Sequence, residues 1–441
     1  MTNFKGKKVL IFGLGLNQGG LGSAKFFAKN GAKVRITDLR NKEVLKSSID
    51  ELKQFPNIEY SLEGHKNEDV TWADLVIKNA AIKPNNSFIN YALKNDKPVK
   101  MDIDIFLESV KPSQIIGITG TKGKSTTSSM IYEVLKKSKK DVILAGNIGI
   151  SVLDTIPNVQ ENTLVVLEIS SFQLQSFDKH QVSPKWAVLT NITPDHLNYH
   201  SSLEEYINAK KIIGKYQTAD DFLFLRKNDP ITTGSKFLKD LKGQIVYFSK
   251  DDLPNHFHPN LKGDHNIENI AAALKTAKAL GINTNSALQT LAGFKGVPFR
   301  MELVKDWHGV KIINDTAATS PESAIKAIQT YPGCILICGG MNKGMDYTQF
   351  TKIVLEKTKK VFLLEGDSTT AILSSLRAER SNLSINGPYD NFEKLLTDVG
   401  SIVKKGDTIL LSPAATSFNL FQNEWDRGRK FNLAVQKVFG D

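Results

Sequence analysis

The residues best equipped for chemistry are Gly120, Thr121, Lys122, Gly123, Lys124, Ser125 and Thr126, inside the stretch QIIGITGTKGKSTTSSMIY from Gln114 to Tyr132. An apolar, β-branched run from Ile115 to Ile118 breaks on glycine and leads into a helix expected to open at Ser125 or Thr126. Such a turn aims successive backbone N–H groups and a helix N-terminus at one point, where a phosphate can sit. Lys124 would reach the β- and γ-phosphates of a nucleotide, and the Ser125 hydroxyl would ligate Mg²⁺. The spacing departs from G-x-x-x-x-G-K-[ST], because Ile118 stands where the first glycine belongs and glycines fall at 117 and 120. The strand, loop and helix context favours nucleotide triphosphate binding over a bland glycine-rich turn.

Three further residues stand at strand ends or near the loop in sequence order. Glu168 closes the apolar run VVLEISSFQL, where a lone carboxylate is costly to bury. It reads either as a salt-bridge or N-cap acceptor, or as a metal ligand facing the phosphate loop from a neighbouring strand. His196, in NITPDHLNYH, follows another strand end and reads as a ligand or phosphate contact. With His200 it forms an i, i+4 pair, but no third soft ligand is near enough in sequence to make a zinc site. Lys210, on the helix EEYINAKK, reads from spacing alone as a surface lysine, and His256 and His258 as part of a solvated turn.

These groups need a scaffold, and the chain supplies alternating strands and helices. Lys8 to Phe12 is a strand; the loop Gly13 to Gly20 follows, then a helix through Ser23 to Lys29, then a strand from Lys33 to Thr37 ending on Asp38. This is a nucleotide-binding βαβ opening with an acidic residue at the second strand tip. Gln18 stands where a dinucleotide fingerprint has its third glycine, so a nucleoside-diphosphate moiety fits equally well. Strands near Leu75 to Ile77 and Val99 to Met101 follow, then a linker at Lys111-Pro112-Ser113. IIGIT, DVILAG, LVVLEIS and WAVLTNI next alternate with helical segments, as in a mostly parallel sheet covered on both faces. A helix from Ile267 to Leu280 ends at Gly281, Gly293 to Pro298 is a second linker, and five more strands follow: Met301 to Val304, Lys311 to Asn314, CILICGG, VFLLEG and TILLSPA. The expected fold class is α/β in three domains: a Rossmann-like domain over 1–110, a central P-loop ATPase domain over 111–297 and a second Rossmann-like domain over 298–441.

Composition narrows the partners. The chain has 441 residues and a formal net charge of +11, with lysines scattered throughout and no basic block or aromatic-basic module. That balance suits small polyphosphate substrates better than nucleic acid. No apolar run approaches the ~18 residues of a membrane span. VLIF is too short for a signal-peptide core, so the N-terminal run reads as a strand. The two cysteines, Cys334 and Cys338, lie along one strand. At strand spacing they are ~13 Å apart, beyond disulfide reach, and read as core residues of a cytoplasmic protein.

In order, TGTKGKST, LEISSFQL, TNITPDHLNYH with Ala209-Lys210 downstream, GDHN, FRME, INDTAATSPES, CGGMNKG and SPAATSF resemble the ATP-dependent Mur ligases over essentially the whole chain. Within that family the motifs are most similar to members that add glutamate, in the D form, to UDP-N-acetylmuramoyl-L-alanine. The resemblance implies ATP-dependent amide-bond formation through an acyl phosphate, in cytoplasmic peptidoglycan precursor synthesis, by a monomer without a membrane span or nucleic acid. It implies ATP and Mg²⁺ as cofactors, with Lys124 on the phosphates, Ser125 and Glu168 on one Mg²⁺, His196 on a second and Lys210 carbamylated, an oxygen anion of the kind Mg²⁺ prefers. It further puts Asn266 and Asn269 beside adenine, Arg300 on phosphate and Asp315 on the ribose. The 1–110 domain would hold the UDP moiety through Asn17, Gln18, Asp38 and Arg40, with Asn147, Ser170 and Gln173 near the muramoyl-alanyl arm. Lys343 and Ser417 in the last domain would hold the carboxylates of glutamate. Ligands drawn from three domains imply closure that keeps water from the acyl phosphate.

Two positions depart from the glutamate-adding pattern. Ala317 stands where many such enzymes have lysine, and Glu424 where they usually have an aromatic residue. Both lie on the amino-acid side, so addition of L-glutamate or another amino acid stays open. A folylpolyglutamate-synthase-like ligase is a further reading, disfavoured by the N-terminal βαβ unit. An ATP-binding regulator fits poorly with the matched set Lys124, Glu168, His196 and Lys210, and a nicotinamide-dependent oxidoreductase leaves the P-loop unexplained.

Overall fold

The computed structural model describes residues 3–15, 19–146, 151–196, 199–261, 263–341, 345–378, 383–417, 420–421 and 423–440. The chain forms two compact units, Met1–Phe294 and Lys295–Asp441.

The first unit holds two sheets. In the first, β1 (Lys8–Phe12), β2 (Lys33–Thr37), β3 (Ile58–Ser61), β4 (Leu75–Lys78) and β5 (Val99–Lys100) are all parallel, in the order β3-β2-β1-β4-β5. Helix α1 (Gly19–Lys29) crosses from β1 to β2, and α2 (Asp102–Leu107) follows β5. The second sheet comprises β6 (Ile115–Thr119), β7 (Val142–Gly146), β8 (Leu164–Glu168), β9 (Trp186–Leu189), β10 (Phe222–Arg226) and β11 (Gln244–Phe248), parallel throughout in the order β11-β10-β9-β6-β8-β7. Its helices include α3 (Lys124–Lys137), α4 (Leu174–His180), α5 (Leu203–Lys215) and α6 (Asp264–Ala279). Every residue of β6 is buried, as expected of a central strand covered on both faces. The sheets are joined by polar contacts: His180 bonds Asp104 at 3.0 Å and the Lys179 amine donates to the Val99 carbonyl at 3.1 Å.

The second unit contains one six-stranded mixed sheet, ordered β12-β13-β17-β14-β15-β16. Its strands are β12 (Glu302–Trp307), β13 (Val310–Asn314), β14 (Cys334–Cys338), β15 (Thr358–Leu364), β16 (Ile385–Tyr389) and β17 (Thr408–Leu411), and α7 (Glu424–Phe439) closes the chain. β12 and β13 are an antiparallel hairpin turned by His308 at φ +50° and Gly309 at φ +83°, while the remaining pairings are parallel. Cys334 and Cys338 are buried free thiols in β14.

The architecture is the expected α/β fold, with two parallel sheets and one mixed sheet, and several element limits differ from the sequence reading. β3, β10, β11 and β16 are additional strands. α3 begins at Lys124 because Gly123, at φ +85°, turns the chain directly into it, and α6 begins at Asp264 rather than Ile267.

Candidate active site

Three neighbouring strand ends assemble the centre of the first unit. β6 lies between β8 and β9, with Ile118 opposite Glu168 and Thr119 opposite Leu189. The loop 120–123, Glu168 and the segment 190–196 therefore emerge side by side at the carboxyl edge, where open α/β sheets bind ligands.

The loop is held by its neighbours. Asn191 clamps Lys122 at both ends, accepting from its N–H at 3.0 Å and donating to its carbonyl at 2.9 Å. The Thr121 hydroxyl bonds the Tyr206 hydroxyl at 3.0 Å and receives the Thr193 N–H at 3.0 Å. Two glycines are obligatory. A Cβ on Gly120, at φ +145°, would stand 1.9 Å from Thr190 Oγ1, and one on Gly123 would stand 2.3 Å from Asn269 Oδ1. The loop thus closes against α6, where Asn269 also accepts from Thr127 Oγ1 at 3.3 Å and donates to Asn266 Oδ1 at 3.4 Å. Ser125 is buried at the first turn of α3 and Thr126 is half-buried beside it.

Lys124 and Lys210 meet on one backbone oxygen. The Lys124 amine donates to the carbonyls of Gly120 and Thr121, both at 3.0 Å, and the Lys210 amine to that of Gly120 at 2.9 Å. Contrary to its surface reading, Lys210 is only 2% exposed. It sits on the face of α5 that also buries Tyr206, whose ring lies 4.8 Å from the amine. Burial, and then the charge of Lys124, push Lys210 down to about 7 against the opposing pull of Asp195. At neutral pH much of this amine is uncharged and nucleophilic.

His196 sits exposed at φ +53°, with its ring 5.1 Å from Phe172. Partial burial and the lysines 124, 210 and 122 hold it below its ordinary range, although Asp195 opposes them, so the imidazole is neutral and able to ligate. His200 is turned away from any shared metal role. It is buried, with Nε2 at 3.0 Å from Ser171 Oγ and Nδ1 3.7 Å from Glu205 Oε1. Among the described residues no cluster of three or more His, Cys, Asp or Glu can hold a metal alone. His256 and His258 are exposed, as read. Ser170 and Gln173 bond each other after β8, Oγ to Oε1 at 3.0 Å.

A second polar centre lies at the carboxyl edge of the first sheet. Buried Asp38 accepts the Gly15 N–H at 3.0 Å and the Arg40 N–H at 3.0 Å, and pairs with the Arg40 guanidinium at 3.1 Å. Arg40 is half-exposed, so its guanidinium is open to a polar ligand while Asp38 stays buried behind it. Asn17, Gln18, Asn147 and Lys343 lie outside the described residues.

In the second unit Asp315 follows β13, accepting the Ser412 hydroxyl at 2.8 Å and the Met301 N–H at 3.1 Å. Burial drives its carboxyl up to about 7 despite these bonds and the nearby guanidiniums of Arg300 and Arg427. Arg300 is exposed, between Phe299 and Met301, both in the left-handed region. Ser417 is buried, and its hydroxyl has no hydrogen-bond partner among the described residues.

Sequence reasoning missed three contributors. Asn191 opens the strand-end segment 191–196, which the sequence offers as candidate ligands, whereas Asp229, which accepts the Ile192 N–H at 3.0 Å, stood in an unassigned stretch. Asn79 follows β4, with its amide nitrogen 3.4 Å from where a Cβ on Gly15 would stand, a place signalled only by its position after a strand. Arg427 had a signal: with Phe431, Ala434 and Val435 it falls on the apolar stripe of α7.

Comparison with known proteins agrees with this geometry. Residues 7–100 match the Mur ligase MurD-like N-terminal domain, 118–259 the Mur ligase middle domain, and 299–415 the Mur ligase glutamate ligase domain. A relative from Borreliella afzelii named UDP-N-acetylmuramoylalanine–D-glutamate ligase is 36% identical over 99% of both chains. Relatives of the same name from Roseiflexus sp. and Clostridioides difficile are each 34% identical, over 98% of both chains and over 99% and 100% respectively. Among solved structures, UDP-N-acetylmuramate-alanine ligase MurC from Thermotoga maritima shares the fold at TM-score 0.58 and 20% identity, covering 98% of this chain and 99% of that one. MurF ligase from the same organism, solved with ADP, aligns at TM-score 0.52 and 20% identity over 99% and 96%. The ordered domain matches and the full-length relatives establish that the chain belongs to the Mur ligase family of ATP-dependent, ADP-forming amide ligases.

Proposed function

We propose that the chain joins D-glutamate to UDP-N-acetylmuramoyl-alanine at the expense of ATP, in peptidoglycan precursor synthesis. The observation that carries the reading is the meeting of Lys124 and Lys210 on the Gly120 carbonyl at the edge that also presents Glu168, in a chain whose full-length relatives are named for this reaction. The substrate carboxylate takes the γ-phosphoryl group and ADP leaves. The glutamate amine then attacks the acyl carbon, loses a proton and expels phosphate.

The residues fit a magnesium nucleotide better than a self-contained metal cage. Ser125, Glu168 and His196 are too few donors to close a shell, and phosphate oxygens would complete it. When bound, Mg²⁺ neutralises phosphate charge. Lys124 and the loop N–H groups cradle the phosphates, and Asn191 keeps that loop in place. Lys210, buried and brought down to about 7, has a neutral fraction suited to adding CO₂ and becoming a carbamate, which converts a competing cation into an oxygen donor.

Gly120, Thr121, Lys122, Gly123 and Thr126 line the phosphate loop, with Asn266 and Asn269 at the adenine, Arg300 at a phosphate and Asp315 at the ribose. Asp38 and Arg40, with Asn17 and Gln18, take the uridine diphosphate, and Asn147, Ser170 and Gln173 the muramoyl-alanyl arm. Lys343 and Ser417 take the carboxylates of glutamate. These roles, the domain limits 1–110, 111–297 and 298–441, a monomeric state and a cytoplasmic location rest on the family resemblance. Among the described residues no helix is long and apolar enough to cross a membrane.

Ala317 and Glu424 favour one second reading, addition of L-glutamate to the same nucleotide. Phosphate release from ATP and Mg²⁺ tests the main reading: it should require both UDP-N-acetylmuramoyl-L-alanine and glutamate, and release independent of either would refute it.

A further inference from the structure

Arg427 on α7 is 0% exposed, yet its guanidinium bonds no anion. Nε donates to Thr316 Oγ1 at 2.8 Å, Nη2 to the Thr316 carbonyl at 2.8 Å and Nη1 to the Ala415 carbonyl at 3.1 Å. Among the described residues no carboxylate lies within ion-pair distance of it. Burial pushes it down to about 9, with Glu424 and Asp315 pulling the other way, so it remains a cation at neutral pH. Burying a charge against neutral oxygens alone is costly, and a residue needed only for packing would be better replaced by an apolar side chain.

What the fork ties together gives that cost a purpose. Thr316 lies between Asp315 and Ala317, and its hydroxyl donates to the Glu424 carbonyl at 3.1 Å. Ala415 leads into Ser417, whose buried hydroxyl has no hydrogen-bond partner among the described residues. One planar cation thus fixes the segments carrying Ala317, Ser417 and Glu424, and it places positive potential beneath a surface that itself bears the carboxylate of Glu424.

We propose that Arg427 is a positioning and specificity-determining residue that makes this surface select an amino acid with an anionic side chain, offsetting the repulsion of Glu424. The inference rests on the assignment of the amino-acid site to this unit. An ammonium cannot reproduce a three-point planar fork, so Lys is not a conservative replacement.

The test is steady-state kinetics of the full chain with ATP, UDP-N-acetylmuramoyl-L-alanine and either D-glutamate or D-glutamine. Arg427→Lys and Thr316→Val should raise KM for glutamate about tenfold, with KM for ATP and nucleotide sugar within about twofold of wild type. Arg427→Met should reduce the preference for glutamate over glutamine about tenfold, and Glu424→Gln should lower KM for glutamate. If the Arg427 variants do not fold, Thr316→Val still decides, because it keeps the shape and removes the two hydroxyl bonds, one accepted from Arg427 Nε and one donated to the Glu424 carbonyl. An unchanged glutamate preference, or a parallel rise of all three KM values with a lower Tm, would overturn the proposal and leave Arg427 a packing residue. Wild type making no glutamyl product but turning over another amino acid would fail the functional reading instead. The same variants measured with that amino acid would then decide Arg427, and a preference for an uncharged one would overturn it.

Discussion

Lys210 and Lys124 donate to the same oxygen, the Gly120 carbonyl, at 2.9 and 3.0 Å. Burial, and then repulsion between two ammonium groups on one acceptor, bring Lys210 down to about 7. A neutral amine adds CO₂, and the resulting carbamate would relieve the repulsion. Lys210→Ala should therefore cut turnover by about a hundredfold or more at saturating substrate, read by phosphate release. Wild-type turnover in that variant would remove the carbamate from the account. With carbon-13 bicarbonate, a carbamate resonance should grow as pH rises through about 7, the direction in which the amine loses its proton.

Gly123 is pinned by conformation and by space. Its φ of +85° is unfavourable to any side chain, and a Cβ would press to 2.3 Å of Asn269 Oδ1. Gly123→Ala should raise KM for ATP by about tenfold or more. Asn269→Ala alone should also raise KM for ATP, so the double variant is compared with it: adding Gly123→Ala to Asn269→Ala should still raise KM, though by less than in wild type, since the clash is gone and the backbone strain stays. No effect of Gly123→Ala in the Asn269→Ala background would mean that crowding alone matters.

Asp38 organises its neighbours by accepting N–H groups from both Gly15 and Arg40. Asp38→Asn keeps the shape but weakens these bonds and the ion pair to Arg40. UDP binding, measured by calorimetry, should weaken about tenfold while ATP binding is unchanged. An unaltered UDP affinity would place the uridine diphosphate elsewhere.

Asp315 links charge to stability. Its folded pKa is raised to about 7 by burial, from 3.8, so folding takes up a proton between those values. The sign follows: stability is greatest below the unfolded pKa and is lost as pH rises through the folded one. The Tm of Asp315→Asn relative to wild type should therefore improve from pH 4 to pH 8, and a flat difference would contradict the burial argument.

The phosphate loop was legible because strand, glycines and helix follow each other without interruption, and the strand-end position of Glu168 could be read from its apolar run. Strands were lost where local signals conflict. β16 is INGPY, in which glycine and proline argue against a strand, and β10 and β11 are short runs between polar turns whose pairing is set by distant partners. The burial of Lys210 was invisible because EEYINAKK looks solvated, and only packing against β6 and Tyr206 decides which face turns inward. Arg427 is the reverse case: its place on an apolar stripe is readable, but its neutral partners, Thr316 and Ala415, lie 111 and 12 residues away in sequence.

The most direct measurement is the mass of the product formed from Mg²⁺, ATP and UDP-N-acetylmuramoyl-L-alanine with D-glutamate or L-glutamate in parallel reactions. The account predicts a glutamyl adduct with the D isomer, matched by one phosphate released per adduct. No adduct with either isomer, while ATP still binds, would contradict it.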